Sequence, residues 1–305
     1  MKKIIYKIFI LVLAVILTVV GILIISPTYQ NHILASLNDK HKYLSESNRK
    51  RIIIVGGSSA LFGIDSKLIE KEFKDYDVVN MGLHAGLGLE FMLNDIKKDI
   101  REGDIIIINS EYSHFYGKTN GEAVLNNVIV YNEFKNFSSL SIENIKVMLN
   151  GLPEFLRGQL AGIILGESSG DKNIMKRNNI SEDGDIKDFD NKKFNITSSK
   201  NGMGKYDYKN IEIINKFNKF AEGKGAKVYL TLAPLLDDQY SYWKEYISEI
   251  IEKIEENSQV RLISNVDQVI FEEKYMYDSV YHLNYEGRKL RTERLIKDLK
   301  TNIFN

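Results

Sequence analysis

The sequence predicts an α/β protein: a five-stranded parallel sheet with helices on both faces, one large insertion, and an apolar helix ahead of the domain. Three observations carry this. Short apolar runs alternate with helical patterns from Arg51 to the C-terminus, the rhythm of repeated β-α units. A long interval, rich in polar residues, breaks that rhythm once. Ile8 to Ile25 is uncharged and apolar but for Thr18 and Gly21. The 305 residues, 44% apolar and 27% charged, suit one large domain or two small ones. Cysteine is absent, which excludes disulfides and cysteine-based metal or redox sites.

As a helix, Ile8 to Ile25 would be about 27 Å long, close to the hydrocarbon thickness of a bilayer. Lys2, Lys3 and Lys7 precede it. The positive-inside rule then leaves the N-terminus in the cytoplasm and exports the rest. A cleaved signal peptide is the competing reading, but its apolar region is usually shorter and no small-x-small cleavage site follows. The expectation is a single-pass transmembrane anchor over 1–26, a polar juxtamembrane stalk over 27–49, and a catalytic domain over 50–305 held outside the cell membrane. Setting aside the three lysines leaves 38 basic against 41 acidic residues, a net charge of −3. That is no nucleic-acid footprint.

Along the domain, Arg51 to Val55 is a short continuous apolar run, the mark of a strand buried on both faces. Asp65 or Ser66 can cap a helix carrying Leu68, Ile69 and Phe73. Tyr76 to Val79 reads as the second strand, Leu89 to Ile100 as a helix, and Asp104 to Ile108 as the third and strongest strand. Lys227 to Leu232 is the fourth and Gln259 to Ile263 the fifth. A helix from about Asp238 to Glu256 carries Trp243, Tyr246, Ile247, Ile250, Ile251 and Ile254 at helical spacing, and a last helix starts near Tyr285. Between the third and fourth strands lie two apolar helical stretches, Ile142 to Leu149 and Phe155 to Leu165, then the polar stretch Gly166 to Lys205. This interval, about 113–205, reads as an insertion beside the site.

The turn after the first strand, "VGGSSALFGI", has several readings. A dinucleotide fingerprint needs G-x-G-x-x-G, but Gly56 and Gly57 are adjacent and Gly63 lies too far on. A P-loop needs Gly-Lys-Ser/Thr, but Ile64 follows Gly63. A serine at the carboxyl end of a central parallel strand points into the crevice where such sheets bind ligands. It becomes a nucleophile only with a histidine in reach and a carboxylate to orient that histidine. Otherwise Ser58 and Ser59 are a helix-capping turn. Near the other end, "YDSVYHLN" places Asp278 and His282 four apart, just before the last helix. Asp278 could hold His282 in one tautomer, or the pair could be a cap and a surface histidine. A metal site from His84, His114 and Glu111 is a further alternative, though both histidines are as well explained by packing.

"GGSSALFGI", "NMGLHAG" and "DSVYHLN" followed by Gly287 resemble blocks I, II and V of the SGNH (GDSL-like) hydrolase superfamily, over roughly Arg51 to the C-terminus without the insertion. The resemblance implies a flavodoxin-like three-layer α/β/α domain and a Ser59–His282–Asp278 triad, with Ser58 in reserve. It implies an oxyanion hole from the Ser59 and Gly82 N–H groups, and Asn109 as the third donor. Two departures stand out: three residues rather than two separate Asp278 from His282, and "NSEYSHFYG" replaces Gly-x-Asn-Asp after the third strand. Glu111, Tyr112 and His114 there are candidates for binding substrate; Tyr112, Phe115 and Tyr116 could stack on sugar rings. With the expected anchor, these departures are closest to the envelope acyltransferase branch, which includes lipoteichoic acid D-alanylation and alginate O-acetylation proteins. That implies transfer of a short acyl group, such as acetyl, to a cell-surface polysaccharide or teichoic acid. It also implies a membrane-bound O-acyltransferase as partner, and no cofactor or metal. A carbohydrate O-acyl esterase, or an idle glycan-binding module on the same fold, is the alternative.

Overall fold

A computed structural model describes residues 2–25, 31–117, 122–165, 175–187 and 194–304. Its centre is a five-stranded sheet of β1 (Lys50–Gly56), β2 (Tyr76–Asn80), β3 (Ile105–Ser110), β4 (Lys227–Leu232) and, after the two-residue β5 (Leu235–Leu236), β6 (Arg261–Leu262). The spatial order is β2-β1-β3-β4-β6, and every pairing is parallel. β5 pairs with β7 (Ile270–Phe271) in a small second sheet.

The strands are apolar without alternation because both faces are covered. Ile53, Val55, Ile106 and Ile108 pack into one core cluster and Ile52, Ile54, Ile105 and Ile107 into another. The first cluster receives α5 (Leu89–Ile96), α8 (Lys209–Glu222) and α9 (Asp237–Asn257), through residues such as Leu93, Ile214 and Ile250. The second receives α4 (Ser66–Glu72) and α10 (Tyr285–Asn302), through Ile69, Leu295 and Leu299. The result is the expected α/β/α layering. The fifth strand is shorter than expected, two residues at the sheet edge. The sequence reading had no helix at α8, although Ile211, Ile214, Phe217 and Ala221 share one buried face.

The N-terminal expectation is corrected. Lys2–Ile25 forms α1, with Lys2, Lys3 and Lys7 inside the helix, and it packs along α7 (Ile142–Leu165) of the insertion. Among the described residues no helix is long and apolar enough to cross a membrane. This overturns the single-pass anchor, the cell-membrane location built on it and the membrane attachment; the expected membrane-bound partner loses its support with them. The stalk is corrected too. A 3₁₀ turn over Ile33–Ser36 and α2 (Leu37–Glu46) pack into the main core through Ile33, Leu34, Leu37 and Leu44, each at most 3% exposed. Lys40, in the middle of α2, is fully buried and donates to the carbonyls of Asn80 (2.7 Å) and Gly184.

In the insertion, α6 (Glu122–Tyr131) packs against α7. The two expected helices, Ile142 to Leu149 and Phe155 to Leu165, are one. Pro153 lies inside α7: it deletes one ladder bond without ending a helix whose flanks are packed. Of the polar stretch 166–205, residues 166–174 and 188–193 lie outside the described residues. The described part over 175–187 is fixed by Asp185, which accepts from Ser66 N (2.7 Å), Ser66 Oγ (2.9 Å) and Asn80 Nδ2 (2.9 Å). Burial pushes the Asp185 carboxyl up, to about 6.

Candidate functional site

The site begins where β1 ends. Gly56 is in register with Asn109 of β3, and a Cβ on Gly56 would stand 2.3 Å from the Asn109 carbonyl oxygen. At Gly57 an added Cβ would lie 2.3 and 2.6 Å from the two carboxylate oxygens of Glu111 and 2.7 Å from Ala85 N. Neither position has room for a side chain, so the paired glycines answer to close approach by β3 and by the chain following it. α3 (Ser58–Gly63) starts at once. Ser59, in its first turn, is 0% exposed.

The Ser59 hydroxyl accepts from Asn109 Nδ2 at 2.9 Å, and the Ser59 N–H donates to Glu111 Oε1 at 3.1 Å. Ser58 is half-buried. In the loop before the last helix, Asp278 Oδ1 lies 2.6 Å from His282 Nδ1. A carboxylate oxygen can only accept there, so the imidazole proton is assigned to Nδ1, leaving Nε2 of the neutral ring as an acceptor. The His282 ring stacks on Phe62, with centroids 4.3 Å apart and planes at 11°. Phe62 follows Ser59 by three residues in α3, and such residues share a helix face, about 5–6 Å apart. Among the described residues no hydrogen bond joins His282 to Ser59; the link between them runs through Phe62.

The expected oxyanion donors are all engaged within the chain. Ser59 N–H is held by Glu111. Gly82 N–H donates to Asn80 Oδ1 at 2.9 Å. Asn109 Nδ2 donates to the serine oxygen. Asn80 is the hub behind this arrangement: its Nδ2 also donates to the Ala60 carbonyl (3.0 Å) in α3. The clamp on Asp185 thereby reaches α3 and the Gly82 turn together.

The residues after β3 divide into two groups. Tyr112 is 1% exposed and donates to the Ala233 carbonyl at 2.8 Å, and burial raises its phenol pKa. Phe115 and Tyr116 are buried, and Tyr116 donates to Glu249 Oε2 at 2.5 Å and Tyr246 O at 2.9 Å. These rings hold the core together and offer no face to a sugar. Glu111 and His114 are each 2% exposed, and His114 lines a cleft. His114 Nε2 lies 2.9 Å from the Ala85 carbonyl and therefore donates to it; Nδ1 lies 2.9 Å from Ser110 Oγ. Burial lowers the His84 pKa, Glu111's charge opposing and His282's adding to the effect. Among the described residues no cluster of three His, Cys, Asp or Glu side chains is arranged to hold a metal ion.

A cleft of about 450 Å³ opens beside these residues, lined by His84, Ser113, His114, Asn201, Trp243 and Tyr281 among others. The Trp243 and Tyr281 rings stand 6.2 Å apart at 41°. Trp243 donates its indole N–H to Asn201 O at 3.1 Å. Sequence reading placed Trp243 only among the apolar positions of α9; its being the sole tryptophan of the chain was the one available signal.

No family model matches this chain, and none of the curated proteins does. Among solved structures it is similar to a family two carbohydrate esterase from Clostridium thermocellum in complex with cellohexaose. The identity is 8% and the TM-score 0.35, covering 84% of this chain and 65% of the other. It is similar also to an active-site mutant of a family two carbohydrate esterase from the same organism, at 9% identity and TM-score 0.35, over 84% and 64%. The chain thus spans just under two thirds of both. Likenesses at this level decide neither fold nor chemistry.

Proposed function

We propose that this protein carries out serine-centred acyl chemistry on an ester of a carbohydrate hydroxyl: an O-acyl esterase, with transfer of the acyl group to a second sugar hydroxyl as the other outcome of the same intermediate. One observation carries the reading. The Asp278–His282 pair, closed at 2.6 Å, stacks through His282 on Phe62, one helical turn from the buried Ser59. Ser59 Oγ attacks the ester carbonyl carbon and its proton passes to His282 Nε2, while Asp278 stabilises the imidazolium. His282 returns the proton to the leaving sugar oxygen as the carbon–oxygen bond breaks. Water, or a sugar hydroxyl, then attacks the acyl-serine and gives its proton to His282, which returns it to Ser59 Oγ as the bond from that oxygen to the acyl carbon breaks. The cleft beside the site supports a carbohydrate, because two aromatic residues, Trp243 and Tyr281, line it among polar neighbours. The three block resemblances point the same way.

The test is labelling of the full chain with a fluorophosphonate, alongside assay of free acid and acyl transfer on an O-acetylated oligosaccharide. Ser59 should be labelled, and Ser59→Ala should lose labelling and several orders of magnitude in turnover with its fold retained. Label that survives Ser59→Ala and vanishes in Ser58→Ala would move the role to Ser58. A second reading, an idle glycan-binding module, is favoured by the internal engagement of all three expected oxyanion donors. Glycan binding unaffected by Ser59→Ala, with no labelling at all, would select it.

A further inference from the structure

Glu111 stands where a serine acyl enzyme has least use for a carboxylate. Its Oε1 accepts the N–H of Ser59, a donor that the resemblance assigns to the oxyanion. The carboxyl group lies directly over Gly57, so close that a methyl there would overlap both oxygens. Negative charge develops at such a position in the transition state, and a fixed carboxylate opposes it. The ester carbonyl oxygen and Glu111 Oε1 also compete for one hydrogen.

We infer that Glu111 is a latch on Ser59: its carboxylate occupies the seat of the ester oxygen in the resting protein, and acylation begins with exchange of one for the other. This rests on the reading of Ser59 as nucleophile. A plain capping role for Glu111 accounts for Oε1 and leaves the rest unexplained. Oε2 is buried without a hydrogen-bond partner, a costly state for a carboxylate that serves only to hold a turn. His114 does not complete it. Its Nδ1 is 3.7 Å from Oε2, and its two nitrogens already engage Ser110 Oγ and the Ala85 carbonyl. Asn109 Oδ1 is likewise buried without a partner. Two unpaired acceptors, Glu111 Oε2 and Asn109 Oδ1, thus belong to the two side chains that hydrogen-bond Ser59. The adjoining cleft, with His84, Ser113 and His114 in its wall, provides the space into which the carboxylate withdraws. Glu111 acts through the Ser59 amide; it is a positioning residue.

The experiment compares fluorophosphonate labelling rates of the full-length wild type, Glu111→Gln and Glu111→Ala, with melting curves for each. The amide of Gln still accepts the Ser59 N–H but without charge, and charge-assisted hydrogen bonds are roughly twice as strong as neutral ones. The latch predicts rates in the order Ala, Gln, wild type, with Ala about tenfold faster than wild type. Sodium acetate at constant ionic strength adds a second readout. Acetate should fill the vacated seat and slow labelling of Glu111→Ala. Wild type should respond far less, since only its unlatched fraction presents the seat. Should Ala fail to fold, the near-isosteric Gln against wild type decides the order. Wild type labelling as fast as or faster than Gln, or equal acetate sensitivity in all forms, overturns the latch while leaving Ser59 as nucleophile. Failure of every form, wild type included, to label at Ser59 overturns both.

Discussion

Two buried histidine–carboxylate groups in this molecule are finished in different ways. On the α5 side of the sheet, His41 of α2 lies between two carboxylates, with Nε2 2.6 Å from Asp95 Oδ2 and Nδ1 2.7 Å from Asp99 Oδ2. The other oxygen of Asp95 accepts from Asn136 Nδ2 at 2.7 Å and Ser139 Oγ at 2.9 Å. At the crevice, His114 engages a hydroxyl and a carbonyl, and the Glu111 carboxylate beside it keeps one oxygen unpaired. In the clamp both imidazole nitrogens and both Asp95 oxygens have partners, although Asn136 Oδ1 is buried without one, and it ties α2, α5 and the insertion into one body. The crevice leaves acceptor capacity unused at Glu111 Oε2 and Asn109 Oδ1. Those unpaired acceptors belong to the two side chains that hydrogen-bond Ser59. A third pair, Asp278–His282, sits between these extremes: closed like the clamp, but with side chains 28% and 13% exposed.

That third pair gives the sharpest way to break the contrast. Asp278→Asn preserves shape but turns an N–H toward His282 Nδ1, which forces the imidazole proton onto Nε2 and leaves no base facing Ser59. Turnover of an acetylated sugar should fall on the order of 10³- to 10⁴-fold, with stability changed by less than about 0.5 kcal/mol, as expected of a partly exposed site. Kinetics and a urea melt on the same preparation read both. Unchanged turnover would make the pair a structural clamp of the His41 kind.

Much of this molecule was open to sequence reading, and for a physical reason. β1, β3 and β4 are buried on both faces, so their apolar runs are unbroken and hard to mistake. Asp278 and His282 lie four apart on one loop, so their meeting needs only a local turn. What could not be read depends on chain crossing. α2 carries few apolar residues, and its Lys40 is buried because the carbonyls of Asn80 and Gly184 receive it, partners 40 and 144 residues away. The transmembrane expectation came from composition alone. Tyr112, an aromatic beside the site, looked like a sugar platform until its hydroxyl was found on the Ala233 carbonyl. Gly82 has the spacing of an oxyanion donor, yet Asn80, two residues before it, takes its N–H. Glu111 was legible as a rim residue; that its carboxylate covers Gly57 was not, because only the register of β1 on β3 sets that approach.

Removing one side of the His41 clamp should produce a stability effect without a chemical one. Asp95 is 3% and His41 11% exposed at the side chain. Asp95→Ala leaves the imidazole with one carboxylate, and the Asn136 and Ser139 donors without their acceptor. Breaking a buried pair in this way costs about 3–5 kcal/mol, so the thermal midpoint should drop by several degrees. Below that midpoint, the fluorophosphonate should label Ser59 at the wild-type rate. A loss of labelling equal to the loss in folded fraction would fit. A much larger loss would mean that the clamp and the crevice are coupled, and the contrast between them would fail.

The smallest effect is the pH dependence of the clamp. Burial works against the His41 imidazolium, but hydrogen bonds to Asp95 and Asp99, and their charges, outweigh it and raise the pKa from 6.5 to about 9. A raised folded-state pKa means that the folded protein binds the proton more tightly than the unfolded chain. The stabilisation is therefore fully present below about pH 6.5 and is lost as pH rises through about 9. The difference between those values corresponds to about 3 kcal/mol. Lys40 runs the other way: burial lowers its pKa to about 7, so its share of stability grows as pH rises above 7. The two are separated by a difference. Urea unfolding at pH 6, 8 and 10 should show the gap between wild type and an Asp95→Asn, Asp99→Asn double variant narrowing toward pH 10, because the variant has no carboxylates to hold the proton. A gap that is constant from pH 6 to 10 would mean that His41 is not charged in the folded protein, and its two carboxylates would then have to be held apart by other means.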